Sequence, residues 1–335
     1  MKTIAYTRSL PVDDPACLVD VELPEPVPGP RDLLVDVRAV SVNPVDVKVR
    51  GRKDPGGEPA VLGYDASGVV VAVGPEVTLF APGDEVFYAG AIDRPGTNAE
   101  RHVVDERIAG RKPRSLSHAD AAALPLTSIT AWELLFDRLG VPEGGGDGES
   151  LLIIGGAGGV GSVLIQLARA LTGLRVVATA SRDETRAWVT GLGAHDVVDH
   201  RGDMAAQLAD LGLKPRYVAG LTATDRHFPA VADLIAPQGR FGLIDDPDPA
   251  AIDISLLKKK SVSLHWEFMF ARSLFGTPDM IEQHRLLNRV ADLVDAGCVR
   301  TTANRDGGTM TAANLRDAHR LQESGTAVGK TTLTW

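Results

Sequence analysis

The sequence predicts an α/β protein built around a doubly wound parallel sheet, with a second, β-rich domain in the N-terminal part of the chain. Two observations support the sheet. From residue 151 onward, short β-branched runs alternate with amphipathic helical stretches, and a glycine-rich turn joins the first such strand to the first such helix. This rhythm favours parallel strands with right-handed crossovers. A third observation predicts the β-rich domain: the first ~110 residues carry short β-branched runs separated by Pro and Gly.

In the N-terminal part, the β-branched runs predict strands joined by tight turns. These runs are LLVDVRAVSV (33–42), SGVVVAVG (67–74) and GDEVFYAG (83–90). We expect them to form a partly barrel-like domain. The chain then becomes helical, since Ser117 is placed to cap a short helix, Pro125 interrupts it, and residues 127–139 form a second helical stretch.

In the second half, strand and helix patterns alternate. The strand candidates are 150–155, 175–180, 195–200, 216–221, 239–244 and 261–266. The helices follow apolar residues at helical spacing, over 161–173, over 183 to either Gly191 or Gly193, and over 279–297. The chain ends in a strand-like GKTTLTW.

Composition and charge exclude several classes of protein. The chain has 335 residues, enough for two domains with sizeable cores. Its net charge of −9 argues against a nucleic-acid partner, because no basic stripe exists to neutralise phosphates. No run of about 18 apolar residues predicts a membrane span. Only Cys17 and Cys298 are present, which excludes a disulfide framework, and we expect a cytoplasmic protein.

The glycine-rich turn predicts a dinucleotide site. Residues Gly156-Ala157-Gly158-Gly159-Val160-Gly161 satisfy G-x-G-x-x-G between a strand and a helix. Bare Cα atoms allow a pyrophosphate to approach the backbone amides and the positive end of the helix. The alternative is tight packing of strand against helix without a ligand.

The end of the second strand favours NADP(H) over NAD(H). An NAD site carries a carboxylate there for the adenosine ribose, and this chain has Ser181 and Arg182 instead. A guanidinium suits a 2′-phosphate, which it can bind through two hydrogen bonds. His200 and Arg201, at the end of the third strand, are further candidates, and a merely solvated Arg201 is the alternative.

Several stretches, in the expected order, resemble the medium-chain dehydrogenase/reductases, specifically their zinc-independent quinone oxidoreductase and zinc-type alcohol dehydrogenase-like branch. The resemblance covers essentially the whole chain. Besides the glycine turn, it rests on AVSVNPVDVKVRG (39–51), VLGYDASGVVVAVGPEVTLFAPGDEVF (61–87), AAALPLTSITAWELL (121–135), TASRDETRAWVTGLGAHDVVDH (179–200), LHWEFMFARS (264–273) and the terminal GKTTLTW. It implies a GroES-like catalytic domain of residues 1–125, completed by 270–335, and a Rossmann cofactor-binding domain, 126–269.

The chain departs from the zinc enzymes of this superfamily at their metal ligands. Asn43 stands where those enzymes have a cysteine, and Tyr64-Asp65 where they have a histidine-glutamate pair. The four-cysteine lobe for a structural zinc has no counterpart either, since the chain lacks cysteine between Cys17 and Cys298. A zinc site needs three or four converging ligands, so we predict no metal.

Without a metal, alcohol oxidation lacks an evident electrophile. The resemblance then implies hydride transfer from NADPH to a quinone or an α,β-unsaturated carbonyl, where hydrogen-bond donors can stabilise the enolate. Two alternatives stay open: a non-catalytic NADPH-binding protein of the crystallin or sensor kind, and a zinc-dependent alcohol dehydrogenase.

The resemblance makes Asn43 and Tyr64 the candidate catalytic residues. Asn43 would face the nicotinamide ribose or the substrate oxygen, and the alternative is an asparagine that caps a turn. Tyr64 would donate to the substrate oxygen, unless its ring only fills the vacated metal cavity. Asp46 would bond a ribose hydroxyl or be solvated. Thr127 and Thr130 lie in a stretch that runs past the cofactor in this family, and Thr130 as an ordinary helix residue is the alternative.

Further cofactor neighbours are expected at the carboxyl edge of the parallel sheet. They are Leu221, Thr222, Leu243 and Ile244. The aromatic run 266–270, with Phe268 at its centre, covers the substrate pocket or belongs to the core. Lys330 matches a family position close to the cofactor, and a solvated lysine is the alternative. A homodimer through strand 261–266 is also implied, because an exposed apolar edge needs a cover.

Overall fold

A computed structural model describes residues 1–335. The chain forms two compact units: a first unit of residues 1–129 and 270–335, and a second unit of residues 130–269. The first unit contains two sheets and the second unit one, and each unit has its own apolar core. None of the helices combines the length and the apolar character that a membrane crossing requires.

Sixteen strands follow one another along the chain. They are β1 (Lys2–Tyr6), β2 (Val19–Glu22), β3 (Asp32–Ser41), β4 (Ala60–Val61), β5 (Ala66–Val73), β6 (Glu85–Tyr88), β7 (Arg101–Asp105), β8 (Ala109–Arg111), β9 (Ser150–Ile154), β10 (Arg175–Thr179), β11 (Asp196–Val198), β12 (Tyr217–Gly220), β13 (Arg240–Leu243), β14 (Ser263–Trp266), β15 (Ala303–Thr309) and β16 (Lys330–Thr334).

Ten α-helices accompany the strands. They are α1 (Pro44–Arg52), α2 (His118–Ala122), α3 (Pro125–Trp132), α4 (Gly159–Leu171), α5 (Asp183–Gly191), α6 (Met204–Asp210), α7 (Thr224–Leu234), α8 (Ala271–Phe275), α9 (Glu282–Asp295) and α10 (Ala312–Glu323). Short 3₁₀ segments lie at Pro15–Cys17, Glu106–Ile108, Pro249–Ala251 and Ile254–Lys260, and a π-helical turn at Glu133–Arg138.

The second unit contains a six-stranded sheet in the order β11-β10-β9-β12-β13-β14. Every neighbouring pair is parallel. The order reverses between β9 and β12, which makes this a Rossmann-type doubly wound sheet with its switch point there. All five residues of β9 are buried, as expected for a strand covered on both faces. The predicted fold class is confirmed, and the carboxyl ends of β9 and β12 mark the edge where ligands bind in such sheets.

The first unit is dominated by antiparallel pairing. A seven-stranded sheet has the order β15-β16-β3-β5-β6-β8, with β7 also on β3, and a smaller sheet has the order β2-β1-β4. The long strand β3 is the hub of this unit. The C-terminal strand β16 pairs antiparallel with its end, where Thr332 faces Ser41. This pairing brings the last residues of the chain beside the segment that leads from β3 into α1.

Several local predictions need correction. The strand predicted over 261–266 begins only at Ser263, because Ser261 adopts a left-handed φ of 52° at the end of the preceding 3₁₀ segment. The helical stretch predicted over 127–139 consists of α3 and the π-helical turn. The cap predicted at Ser117 is confirmed, since its side chain accepts a hydrogen bond from the backbone N–H of Asp120.

Candidate functional site

The glycine turn lies between β9 and α4, at the switch point of the parallel sheet. Gly155 follows the strand with a φ of +89°, a conformation that favours glycine. Its backbone N–H donates to Thr179 Oγ1 at 3.0 Å, which ties the turn to the end of β10. Gly158 is the N-cap of α4 and Gly159 its first residue. The first amides of α4 and the positive end of its dipole therefore lie in this turn.

Packing explains two glycines of the motif. A Cβ on Gly161 would lie 2.5 Å from Gly155 O and 2.7 Å from Gly156 Cα, and a Cβ on Gly156 would lie 2.8 Å from Ala178 Cβ. Glycine is therefore needed at both positions for the turn and α4 to pack closely against the strands. This is what the alternative without a ligand predicts for these two residues.

Gly158 is different. A Cβ there would meet only Gly155 O, at the ordinary contact distance of 3.5 Å. The protein itself therefore leaves room at this position. Open space beside a bare Cα at a helix N-terminus fits a pyrophosphate group. Ala157 and Val160, which complete the motif, are half-buried beside it.

The residues predicted for the adenosine ribose lie at the ends of β10 and β11. Arg182 is exposed and is the N-cap of α5, where its backbone N–H donates to Thr185 Oγ1 at 3.1 Å. Arg201 is not simply solvated: it donates to the carbonyl oxygen of Ser181 and pairs with Asp199 at 2.8 Å. Hydrogen bonds from Arg201 lower the pKa of Asp199 to about 2.

His200 is half-buried beside this group. Its ring meets that of His227 edge to face, with the centroids 5.9 Å apart. Burial lowers the pKa of His200 from its ordinary value. The ring therefore favours the neutral form, and it can give or accept a hydrogen bond at this edge of the sheet.

The residues predicted after the fourth and fifth strands of the sheet have different surroundings. A Cβ added to Gly155 would lie 2.9 Å from Thr222 Cγ2 and 3.5 Å from Leu221 Cβ, so these two residues adjoin the glycine turn. The Leu243 side chain is fully buried in the core of the second unit, so only its backbone is available to a ligand. Ile244 continues the strand by donating to Gly220 O at 3.3 Å.

Sequence analysis did not identify Asp245, which connects the same two strand ends. Its carboxylate accepts from the backbone N–H of Thr224 at 2.9 Å and from the Thr224 hydroxyl. An acidic residue two positions after a buried strand was the available signal.

In the first unit, the segment after β3 holds a buried polar cluster. Asn43 is the N-cap of α1, and its backbone N–H donates to Asp46 Oδ2 at 2.6 Å. The other oxygen of Asp46 accepts from the backbone N–H of Gly63 at 3.1 Å. Asp46 is only 1% exposed, and burial raises its pKa to about 7. Its carboxylate therefore connects α1 to the loop before β5. The alternative that the Asp46 side chain is solvated is wrong.

Asp65 is the centre of this cluster. Its Oδ2 accepts from Ser41 Oγ at 2.8 Å, Asn43 Nδ2 at 2.7 Å and Lys330 Nζ at 2.9 Å, and its Oδ1 from the backbone N–H of Leu126 at 2.8 Å. Lys330 Nζ also donates to Asn43 Oδ1. Lys330, which is 4% exposed, is therefore not the solvated lysine of the alternative interpretation. The fold thus brings two predicted residues, Asn43 and Lys330, within hydrogen-bond distance of one carboxylate, that of Asp65.

Tyr64 adjoins the cluster. It is 3% exposed, and its ring meets Phe270 edge to face with the centroids 5.3 Å apart. Burial, and next the charge of Asp46, raises the pKa of Tyr64 from its ordinary value. The hydroxyl makes no hydrogen bond within the protein, so this phenol is protonated at neutral pH and has a donor to offer.

Three predicted residues have other roles or surroundings. The hydroxyl of Thr127 donates at 3.0 Å to the backbone oxygen of Leu124, the residue that precedes α3. Thr130, on the same helix, is buried, with 5% of its surface exposed. Phe268 is 48% exposed and so is not a core residue, whereas its neighbour Met269 is buried.

Comparisons with known proteins agree with this architecture. Residues 29–114 match the family described as "Alcohol dehydrogenase GroES-like domain", and residues 159–287 match "Zinc-binding dehydrogenase". A zinc-type alcohol dehydrogenase-like protein of Staphylococcus aureus is 39% identical, with 98% of each chain covered.

Solved structures resemble the chain over its whole length. A crystal structure from Rhizobium etli, assigned to the zinc-dependent alcohol dehydrogenases, has a TM-score of 0.96 at 58% identity and covers 100% of this chain and 98% of that one. A quinone oxidoreductase from Coxiella burnetii has a TM-score of 0.82 at 27% identity, with 100% and 99% covered. A mycobacterial protein in complex with NADPH has a TM-score of 0.84 at 28% identity, with 100% of both chains covered.

These names imply a zinc ion, and the residues present do not fit one. Asp65 already accepts four hydrogen bonds, one of them from the ammonium of Lys330. An amide and an ammonium are not zinc ligands. Nowhere in the chain do three or more His, Cys, Asp or Glu side chains converge as a metal-binding group.

Proposed function

We propose that this chain, which belongs to the medium-chain dehydrogenase/reductase superfamily, is an NADPH-dependent oxidoreductase that reduces a quinone or an α,β-unsaturated carbonyl without a metal. The main support for this proposal is the chemistry of the buried cluster around Asp65 in the first unit. It offers hydrogen-bond donors, from Tyr64 and Lys330, where the resemblance places the ligands of a zinc enzyme, and the Asn43 amide, already bonded to Asp65 and Lys330, holds the ammonium in place. Such donors suit the spread-out negative charge of an enolate or a quinol anion, which requires less stabilisation than an alkoxide.

The cofactor proposal rests on the second unit. When bound, NADPH supplies the hydride. The amides at Gly158 and Gly159 would hold its pyrophosphate at the N-terminus of α4. Arg182, with Ser181 and Arg201 beside it, would bind the 2′-phosphate, because these side chains replace the carboxylate of an NAD site. The NADPH complex of the mycobacterial structure supports this choice.

The side chains of the first unit have distinct roles in this proposal. The Tyr64 hydroxyl donates a hydrogen bond to the substrate oxygen. It does not act as a base, because its raised pKa keeps it protonated. Asn43 is held by Asp65 and Lys330, so its amide has a fixed orientation. The Thr127 hydroxyl already donates to the backbone oxygen of Leu124, so we assign it no hydrogen bond to the cofactor.

Steady-state rates test this proposal. We expect NADPH oxidation with 1,4-benzoquinone and with an enone, slower oxidation of NADH, and little turnover of a saturated aldehyde. NADPH binding with no turnover of any acceptor would favour the non-catalytic alternative. Turnover of an alcohol that depends on added zinc would favour the zinc enzyme.

We further propose a homodimer formed through strand 261–266. Within the chain, β14 pairs only with β13, so its other edge carries unpaired backbone groups, and Trp266 at its end is 56% exposed. Sedimentation equilibrium should give twice the chain mass of 35.4 kDa. A monomer at micromolar concentration would contradict this assembly.

A further inference from the structure

The buried cluster of the first unit contains one cation, the ammonium of Lys330. Its Nζ lies 2.9 Å from Asp65 Oδ2 and bonds Asn43 Oδ1. The Lys330 side chain is 3% exposed and that of Asp65 is fully buried. According to the resemblance described above, Asn43 stands where zinc enzymes of the superfamily have a cysteine ligand, and Tyr64-Asp65 where they have a histidine-glutamate pair. The cluster thus has a cation of its own where those enzymes bind a metal.

We propose that the Lys330 ammonium takes over the task of that metal, as a fixed internal cation that donates a hydrogen bond to the carbonyl oxygen of the acceptor. This inference rests on the function proposed above and names the residue that polarises the substrate.

The number of donors and acceptors supports this role. An ammonium has three N–H donors, and the protein uses two of those of Lys330, on Asn43 and Asp65. One donor is left for a ligand. Asn43 joins the other two residues, because its Nδ2 donates to Asp65 while its Oδ1 accepts from Lys330. The three side chains form a closed ring of hydrogen bonds, which fixes the position of Nζ.

The charges explain why the cation can stay buried. A buried charge is tolerated when it is paired and hydrogen-bonded. Asp65 neutralises Lys330, and the four hydrogen bonds that Asp65 accepts hold its carboxylate in place. Because the pair is neutral as a whole, it presents a dipole whose positive end is the remaining N–H. A second cation, such as a zinc ion, would be repelled from the same place.

With the Lys330 ammonium as donor, the enone is reduced by a hydride and then a proton. A hydride forms a new C–H bond at the β-carbon of the enone, and the π electron pair moves to the carbonyl oxygen. The resulting enolate oxygen accepts the hydrogen bond from Lys330. A proton from solvent then forms the second C–H bond at the α-carbon, and the carbonyl is restored. The acceptor gains two electrons and two hydrogens, and the dinucleotide is oxidised.

A charge-neutral double variant separates this role from a structural one. Removing Lys330 alone would leave the Asp65 charge buried without its cation, and the fold itself would suffer. In the double variant Asp65→Asn/Lys330→Met, the oxygen of the new amide accepts from the Leu126 N–H. Its NH2 group takes the place of Oδ2, so it donates to Asn43 Oδ1 once the Asn43 amide, released by the lysine, turns over and the Ser41 hydroxyl turns to accept. The cluster stays hydrogen-bonded but has no cation. Lys258→Met, at an exposed position, is the matched control.

The experiment measures NADPH binding by fluorescence and single-turnover reduction of an enone for the wild type, the double variant and Lys258→Met. We expect the three dissociation constants to agree within about twofold and the reduction rate of the double variant alone to fall about 100-fold, as when an oxyanion donor is removed. A double variant that binds NADPH and reduces the enone at the wild-type rate would overturn the proposal.

A second measurement does not depend on turnover. After dialysis against zinc, the wild type should retain no stoichiometric metal, because the ammonium excludes it. One tightly bound zinc per chain would overturn the proposal whatever the rates. If the wild type reduced no acceptor at all, the proposed function would fail, and the zinc measurement would still decide whether Lys330 holds the place of the metal.

Discussion

Gly158→Ala tests whether the glycine turn binds a pyrophosphate. The protein tolerates the added methyl group, because its nearest neighbour would be Gly155 O at 3.5 Å. The backbone tolerates it too, since Gly158 has a φ of −72°, which alanine adopts readily. Alanine is a poorer N-cap than glycine, so we expect a stability loss of at most about 1 kcal/mol.

The effect on the cofactor should be much larger. The methyl group occupies the open space in which a phosphate would approach the first amides of α4. Losing one hydrogen bond to a charged group costs about 1.5–3 kcal/mol. That loss corresponds to a rise of about 10- to 150-fold in the NADPH dissociation constant.

Gly161→Ala is the matched control, since packing alone requires glycine there. Its Cβ would lie 2.5 Å from Gly155 O and 2.7 Å from Gly156 Cα, both backbone atoms that cannot move cheaply. We expect it to lower stability by about 1–3 kcal/mol or more. Urea unfolding and NADPH fluorescence titration measure both effects. If Gly158→Ala kept the wild-type affinity for NADPH, the phosphate site would be refuted.

Three further predictions test other parts of the second unit. Arg182→Ala should raise the Michaelis constant for NADPH about tenfold while leaving that for NADH unchanged, because only NADPH carries the 2′-phosphate; equal effects on both cofactors would remove Arg182 from that subsite. Burial raises the pKa of Glu267, so this carboxyl stabilises the fold below its unfolded-state pKa and that stability is lost as pH rises through the folded value. Urea unfolding should therefore show a smaller loss of stability between about pH 5 and about pH 9 in Glu267→Gln than in Glu184→Gln, a control at an exposed position, and equal slopes would contradict this assignment. Lys260 donates to carbonyl oxygens at the end of α7, including Ala232 O at 2.9 Å, so Lys260→Met should cost about 1 kcal/mol in thermal unfolding, whereas a loss as small as that of Lys258→Met would contradict the capping role.

Local patterns predicted the parallel sheet well, because its strands are buried on both faces and read as continuous apolar runs. The first strand of this sheet, predicted over 150–155, is β9, Ser150–Ile154. Strand β15 was not predicted, since its sequence ANRDGGT is polar and its register with β16 is irregular. Such an edge strand forms because it pairs with β16, and its own sequence carries no alternation of apolar and polar residues.

The candidate site shows the limit of local patterns in another way. Asn43, Tyr64 and Lys330 were identified individually, but the ring that joins Asn43 and Lys330 to Asp65 was not. Lys330 and Asp65 are 265 positions apart, and they meet because β16 and β5 both pair with the same end of β3. No periodicity in the sequence encodes that contact. An aspartate inside an apolar stretch was the available signal, since a buried carboxylate requires a partner.

The proposed reduction by NADPH depends on hydrogen-bond donors and an internal ammonium and needs no metal ion, so a chelator should not affect it. Its most direct test is the rate of enone or quinone reduction by NADPH before and after exhaustive dialysis against a strong chelator, with zinc then added back. We expect the same rate in all three samples. Loss of activity on chelation and its recovery with one equivalent of zinc would contradict it.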